Sequence, residues 1–137
     1  MVEDNKRLVR RWTDEVWNQG KLDLIDELVA PDYVRQDPAW PEEVQGREGL
    51  RQYVSTVRQA FTDLQVTIED IIAEGDKVVV RWRAKATHQG DFLGIRPTWR
   101  EIAMAGISIH RIASGRIAET WDRYDALGLM QQLGVVP

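Results

Sequence analysis

This chain of 137 residues contains no cysteine and carries a formal net charge of −4. Its length fits a single domain, 1–137, with a core that needs no disulfides, and the missing cysteines exclude thiolate zinc sites and cysteine nucleophiles. The acidic balance argues against a nucleic-acid partner, and the absence of a signal peptide or a long apolar run leads us to expect a cytoplasmic protein with no membrane contact.

The first half of the chain has helical periodicity. Apolar residues at spacings of three and four predict a first helix that ends in a turn at 18–20; they are Leu8, Val9, Trp12 and Val16. A short second helix is expected over 22–28. Residues 30–32 should end this helix, and residues 33–34 should begin an extended piece. Two prolines predict that 37–41 is an irregular loop. A third helix follows Gly46.

After Thr62 the pattern changes to the period of two that is typical of strands. Val66, Ile68 and, after a break, Ile71 and Ile72 predict a strand that ends at the turn 75–76. Residues 78–86 then alternate between an apolar face, which includes Trp82, and a largely basic one. Two more strands are expected over 100–112 and 116–124, joined by a hairpin turn, and a closing helix ends at Gly134. Helices followed by an antiparallel meander are typical of the α+β class.

Recognisable motifs run along nearly the whole chain. They read VWNQG at 16–20, APDY at 30–33, AEGDK at 73–77, THQG at 87–90, RIASGRIAETWDRYD at 111–125 and QQLG at 131–134. In this order they resemble the SnoaL-like polyketide cyclases. The resemblance implies a nuclear-transport-factor-two-like fold. This is a cystatin-like α+β barrel, in which a cone-shaped, curved antiparallel sheet wraps around N-terminal helices and leaves a pocket.

The resemblance also implies a reaction. Characterised cyclases of this family close a polyketide ring by an intramolecular aldol reaction, without a metal or an organic cofactor, on an apolar carbonyl-containing molecule. An aspartate acts there as general acid and base, and it matches Asp122 in this sequence. Members usually form homodimers or larger assemblies such as homotetramers through the convex sheet face. A metal is not expected on other grounds too, because His88 and His110 have no metal-ligand spacing.

Asp122 lies beside Trp121 and Tyr124 in the last predicted strand. Burial in an apolar cavity disfavours the charged form of a carboxylate and makes it a stronger base, which suits proton transfer near neutral pH. From the residues alone, a surface aspartate paired with Arg111 or Arg123 is the favoured interpretation. The resemblance favours the catalytic one, with Trp12, Trp82 and Tyr124 as lining residues.

The face on which Asp122 lies depends on the turn at 114–115. A simple two-residue loop would pair Ile112 with Ile117 and place Asp122 with Ile107 and Ile109. A bulge at Gly115 would shift the pairing by one and place Asp122 with Gly106, Ser108 and His110, leaving Ile107, Ile109 and Trp121 for a subunit interface. We favour the bulge, because glycine accepts positive φ and because the polar side chains then cluster.

Four further side chains are candidates for the pocket. Ser108 stands where the aldol cyclases carry a histidine, and its hydroxyl can donate to an oxyanion but carries protons poorly. His110, two residues on, is a second polar candidate. Asp37 precedes Pro38 where the distantly related ketosteroid isomerases place a general base, although a turn-capping role is favoured. His88 is a candidate for the pocket mouth, with a turn-stabilising role favoured.

Two functions remain open at this point. The first is an enzyme that performs acid/base or aldol chemistry with Asp122. The second is a module on the same fold that binds a small ligand, or associates with itself, without chemistry. The second hypothesis is motivated by Ser108 and Gln36, which stand where relatives carry histidines.

Overall fold

The computed structural model describes all residues, 1–137, and contains four α-helices and one six-stranded sheet. The helices are α1 (Val2–Arg11), α2 (Ile25–Leu28), α3 (Gly46–Ala60) and α4 (Ala126–Leu133). The strands are β1 (Val29–Gln36), β2 (Val44–Gln45), β3 (Gln65–Glu74), β4 (Lys77–Thr87), β5 (Glu101–Ala113) and β6 (Arg116–Tyr124). The sheet is curved and unclosed, with strand order β2-β1-β6-β5-β4-β3, so the predicted α+β fold is confirmed.

The first helix is longer than one regular α-helix. Helix α1 passes without a break into a π-helical segment, Trp12–Asn18, in which Trp12, Thr13 and Val16 are buried. The wider turn of a π-helix explains why two successive residues face the interior. Asn18 ends the segment and fastens it to β3, because its side-chain amide donates to Val66 O at 2.9 Å and accepts from Val66 N at 2.7 Å.

The second helix ends before residues 30–32, as expected, but the extended piece begins at Val29 and not at Tyr33. The predicted second helix is present as a 3₁₀ turn, Leu22–Leu24, followed by α2, but β1 begins directly at Val29 and runs through Pro31. The pairing of β1 with β6 skips from Val29 to Val34, so Pro31 lies where no ladder bond is made. A proline without an N–H is tolerated at such an irregular position.

The predicted antiparallel meander is confirmed for β3, β4, β5 and β6. The break expected between Ile68 and Ile71 is a register shift between Ile68 and Asp70. The sheet is not antiparallel throughout, however, because β1 pairs with β6 in parallel. The sequence pattern did not predict this pairing. Parallel neighbouring strands require a long connection between them. Here α3 and the strands β3, β4 and β5 provide that connection between β1 and β6.

The β5–β6 hairpin has a regular turn and a displaced bulge. Ser114 and Gly115 both have positive φ, 51° and 75°, and Ile112 pairs with Ile117 as in a two-residue loop. The register then shifts, because Arg111 pairs with Glu119 and Ala118 has no partner of its own. The bulge is therefore at Ala118 and not at Gly115. Its effect on the pairing is the one expected, since Ser108 now lies opposite Asp122.

The interior consists of two apolar clusters. The larger one joins α1, the π-helical segment, α2 and α3 to the concave sheet face, and includes Val9, Val16 and Leu50. The smaller one lies under α4 and the end of α3, and includes Phe61 and Leu133. None of the helices combines the length and apolarity that a bilayer crossing requires.

Candidate active site

A cavity of about 140 Å³ lies between the helices and the concave sheet face. Eighteen of its 24 lining residues are hydrophobic, and four of the six tryptophans are among them: Trp12, Trp17, Trp40 and Trp82. Tyr53 of α3 joins two of these rings, with ring centroids 5.7 Å from Trp17 and 4.8 Å from Trp40 in edge-on contact. An apolar cavity of this volume holds about one six-membered ring. The cavity therefore suits one largely apolar part of a ligand, about the size of a single ring.

The polar part of the cavity centres on an ion-pair cluster. Arg35 Nε donates to Asp122 Oδ2 at 2.7 Å, and Arg35 Nη2 donates to Asp37 Oδ2 at 3.0 Å. The Arg35 side chain is only 4% exposed and Asp122 is 14% exposed. Burial acts to lower the pKa of Arg35, but Tyr53, Asp122 and Asp37 together raise it above its ordinary value. The guanidinium is therefore charged, and it forms a buried ion pair with the Asp122 side chain.

Ser108 lies directly beside Asp122 and is held from two sides. Trp82 Nε1 donates to Ser108 Oγ at 2.9 Å, and the Ser108 hydroxyl donates to Asp122 Oδ1. A serine hydroxyl has one proton, so this proton is directed to the carboxylate and not into the cavity. Ser108 thus orients Asp122. The oxyanion role considered from the sequence is not what this geometry shows.

His110 lies on the same strand face, two residues beyond Ser108. Its Nδ1 atom is 2.8 Å from the Thr120 hydroxyl oxygen, and both residues are buried. Burial lowers the pKa of His110 to about 4, against the opposing effect of Asp122. The imidazole is therefore neutral at physiological pH, and a neutral ring can donate or accept a hydrogen bond without carrying charge.

The structure brings six of the eight sequence-predicted residues to the cavity. They are Trp12, Trp82, Ser108, His110, Asp122 and Tyr124. Asp37 is not among the lining residues: it lies on the far side of Arg35, where it accepts from Tyr124 OH at 2.7 Å and from Ala39 N at 2.8 Å. Asp37 thus combines the turn-capping contact with an ion pair to Arg35.

His88 lies away from the cavity as well. It is fully buried against Phe61, and its Nδ1 accepts from the Thr98 backbone N–H at 3.1 Å. This contact joins the two ends of the loop between β4 and β5. His88 therefore stabilises this loop, which is the role favoured from the sequence.

Arg35 is the residue that sequence reasoning missed. The prediction ended the regular pattern near Val34, so Arg35 was not assigned to a strand face. In the structure β1 buries Tyr33 and Arg35 on one side, but the sequence YVRQ at 33–36 has no alternation that would have indicated this. The consequence is a correction: Asp122 is not an isolated carboxylate in an apolar cavity, since it is paired with a buried cation.

Comparisons with known proteins agree with this architecture. The SnoaL-like polyketide cyclase family model matches residues 7–133. The chain is 30% identical over 122 residues to the nogalonic acid methyl ester cyclase of Streptomyces nogalater, covering 86% of this chain and 89% of that one. It is 27% identical over 128 residues to the aklanonic acid methyl ester cyclase AcmA of Streptomyces galilaeus, covering 92% and 88%.

A solved structure shows the same fold. TsrD from Streptomyces laurentii superimposes with a TM-score of 0.86 at 30% identity, covering 98% of this chain and 97% of TsrD. Family model, relatives and fold coincide over almost the full length, and the chain belongs to the SnoaL-like polyketide cyclase family.

Proposed function

We propose that this protein is a cofactor-free cyclase that closes a ring by an intramolecular aldol reaction on an apolar, carbonyl-bearing substrate. The observation that carries the proposal is the position of Asp122, which is a carboxylate at the polar end of a tryptophan-lined cavity. The two curated relatives are named as methyl ester cyclases, and a methyl ester contains a carbonyl group.

The proposed reaction uses Asp122 twice. Its carboxylate removes a proton from a carbon next to a carbonyl group, and the resulting enolate carbon forms the new bond to a second carbonyl carbon. The alkoxide that this produces takes the proton back from the Asp122 carboxyl group, so the enzyme is unchanged at the end. Ser108 and Arg35 hold the carboxylate in position, since each donates to a different oxygen.

The apolar walls contribute by orientation. Trp12, Trp17 and Trp40 line the cavity, and their rings can hold an apolar part of the substrate so that its acidic carbon meets Asp122. Neutral His110 offers a hydrogen-bonding group near the developing oxygen charge without adding a competing cation.

The test uses nogalonic and aklanonic acid methyl esters as substrates, because ring closure leaves mass unchanged but alters absorbance and retention time. We expect Asp122→Asn to lower turnover by at least about 10²-fold while circular dichroism shows an intact fold. Asp70→Asn is the matched control, because Asp70 is an exposed β3 carboxylate paired with Arg81. Unchanged turnover in Asp122→Asn would refute the assignment of the base.

A non-catalytic ligand-binding module is the second candidate. It is favoured by one observation: both carboxylate oxygens of Asp122 already accept hydrogen bonds from the protein, one from Arg35 and the other from Ser108. Under this hypothesis the wild-type protein binds either ester, as measured by quenching of tryptophan fluorescence, without converting it. Conversion of either ester excludes this candidate.

A further inference from the structure

One guanidinium serves two carboxylates in the buried cluster. Arg35 Nε contacts Asp122 and Arg35 Nη2 contacts Asp37, at 2.7 and 3.0 Å. Arg35 and Asp37 are 4% and 2% exposed, and the Arg35 guanidinium carbon lies 3.9 Å from the Tyr53 ring centroid. One positive charge cannot balance two negative ones, so the ionised cluster carries a net charge of −1 in a poorly solvated place.

The two carboxylates are not equivalent. Asp37 accepts three hydrogen bonds, from Arg35, the Tyr124 hydroxyl and Ala39 N, and it is closed off from the cavity. Asp122 accepts two, from Arg35 and Ser108, and it lines the cavity. Asp37 therefore has the larger set of donors and no access to the cavity, whereas Asp122 faces the cavity. Asp122 is the member of the pair that can exchange a proton with a substrate.

The other titratable groups that line the cavity with Arg35 and Asp122 carry no charge near neutral pH. Burial raises the pKa of Tyr33, Tyr53 and Tyr124, so these phenols stay protonated. Burial lowers the pKa of His110, which stays neutral. On β6, Glu119 is bonded to Gln36 and Arg111 on the opposite face. Arg123 of β6 is exposed, and its guanidinium donates to the backbone oxygen of Asp122 and not to the carboxylate. The charged side chains of the buried cluster around the Asp122 carboxylate are therefore Arg35 and Asp37.

We propose that Asp37 is a positioning residue that sets the proton affinity of Asp122 by sharing Arg35 with it. The inference rests on the proposed role of Asp122 as the base. Without Asp37, the whole of the guanidinium would serve Asp122 and its carboxylate would be a weaker base. With Asp37 present, part of that stabilisation is withdrawn and a second negative charge lies nearby. Both effects raise the affinity of Asp122 for a proton.

The experiment follows the carboxyl carbon of Asp122 by NMR in protein labelled with ¹³C at aspartate Cγ, without any substrate. The resonance is assigned from its absence in Asp122→Asn. We expect the titration midpoint of Asp122 to move to lower pH in Asp37→Asn, by about one pH unit. The conservative variant Asp37→Glu, which keeps the charge, should return the midpoint towards that of the wild type.

Two further variants complete the design. Asp70→Asn removes one negative charge from the exposed face of β3 and should leave the midpoint unchanged. Asp37→Ser removes the same charge as Asp37→Asn with a smaller side chain, and it replaces that variant if circular dichroism shows that Asp37→Asn does not fold. An unchanged or higher midpoint in the folded charge-removing variant overturns the inference. Because no turnover is measured, a failure of the cyclase proposal would be seen separately, in the ester assay.

Discussion

His110 shows how burial at a single residue can control the pH response of the protein. The ordinary pKa of the side chain is 6.5, and burial lowers it to about 4 in the folded state. Between these values the unfolded chain binds a proton that the folded chain does not. The free energy of unfolding therefore falls as the pH is lowered from about 6.5 to about 4, and this contribution is absent above 6.5.

His110→Gln should flatten this response. We expect the wild type to lose on the order of 3 kcal/mol more unfolding free energy than the variant between pH 7 and pH 4, because the variant has no imidazole to protonate. Urea unfolding of both proteins at several pH values measures the difference. Parallel pH profiles for the two proteins would contradict the expected protonation state.

At the scale of the secondary-structure elements, β5 and β6 position the site through their register. The extra residue Ala118 brings Asp122 opposite Ser108, and it leaves Ile107 half-exposed on the convex face. Gly106 pairs with both Trp82 and Tyr124, on the neighbouring strands. A Cβ atom here would collide with the Trp82 ring and would lie 2.7 Å from the backbone oxygen of Arg123. The Trp82 ring thus occupies the space that a side chain at position 106 would fill.

Gly106→Ala should therefore destabilise the fold and disturb the site together. We expect a loss of about 1–3 kcal/mol of unfolding free energy, because the clash involves backbone and a packed ring. The Trp82 ring should also move away from Ser108, which can be seen in the indole N–H resonance. Ala105→Ser, on the exposed side of the same strand, is the control and should change the unfolding free energy by less than about 0.5 kcal/mol. Equal stability of both variants would show that the sheet can widen without cost.

At the scale of the whole molecule, the cavity is lined by residues of both apolar clusters. The two clusters share half-buried neighbours, Trp17, Trp40 and Trp82, which also line the cavity. Helix α4 closes the smaller cluster with Leu129 and Leu133, and its N-terminus is capped by Asp125, which accepts from Gly128 N at 2.9 Å. We therefore expect the two clusters to unfold as one cooperative unit.

Leu133→Ala tests this coupling. Leu133 is 2% exposed, so its truncation should cost about 2–5 kcal/mol and shift the transition of the whole protein, as followed by tryptophan fluorescence and by circular dichroism. Leu127→Ala is the matched control on the same helix, because Leu127 is 63% exposed. Two separate transitions in Leu133→Ala would show that α4 and its cluster unfold independently.

The sequence by itself determined the elements and the identity of one side chain at the centre of the site. Periods of two and of three to four placed the meander and the main helices, because burial of one face imposes those periods. The motif at 111–125 singled out Asp122. The turn at 114–115 was predicted as well, because its residues must adopt positive φ.

Only the tertiary structure decided what surrounds Asp122. Arg35 precedes it by 87 residues, and the two meet because β1 pairs in parallel with β6, a contact that no local pattern records. The bulge at Ala118 leaves no signature in the sequence, yet it selects which face Asp122 occupies, since one extra residue inverts the alternation of a strand. The sequence predicted an apolar pocket with a single carboxylate. In the structure, Asp122 and Asp37 share a buried ion pair with Arg35.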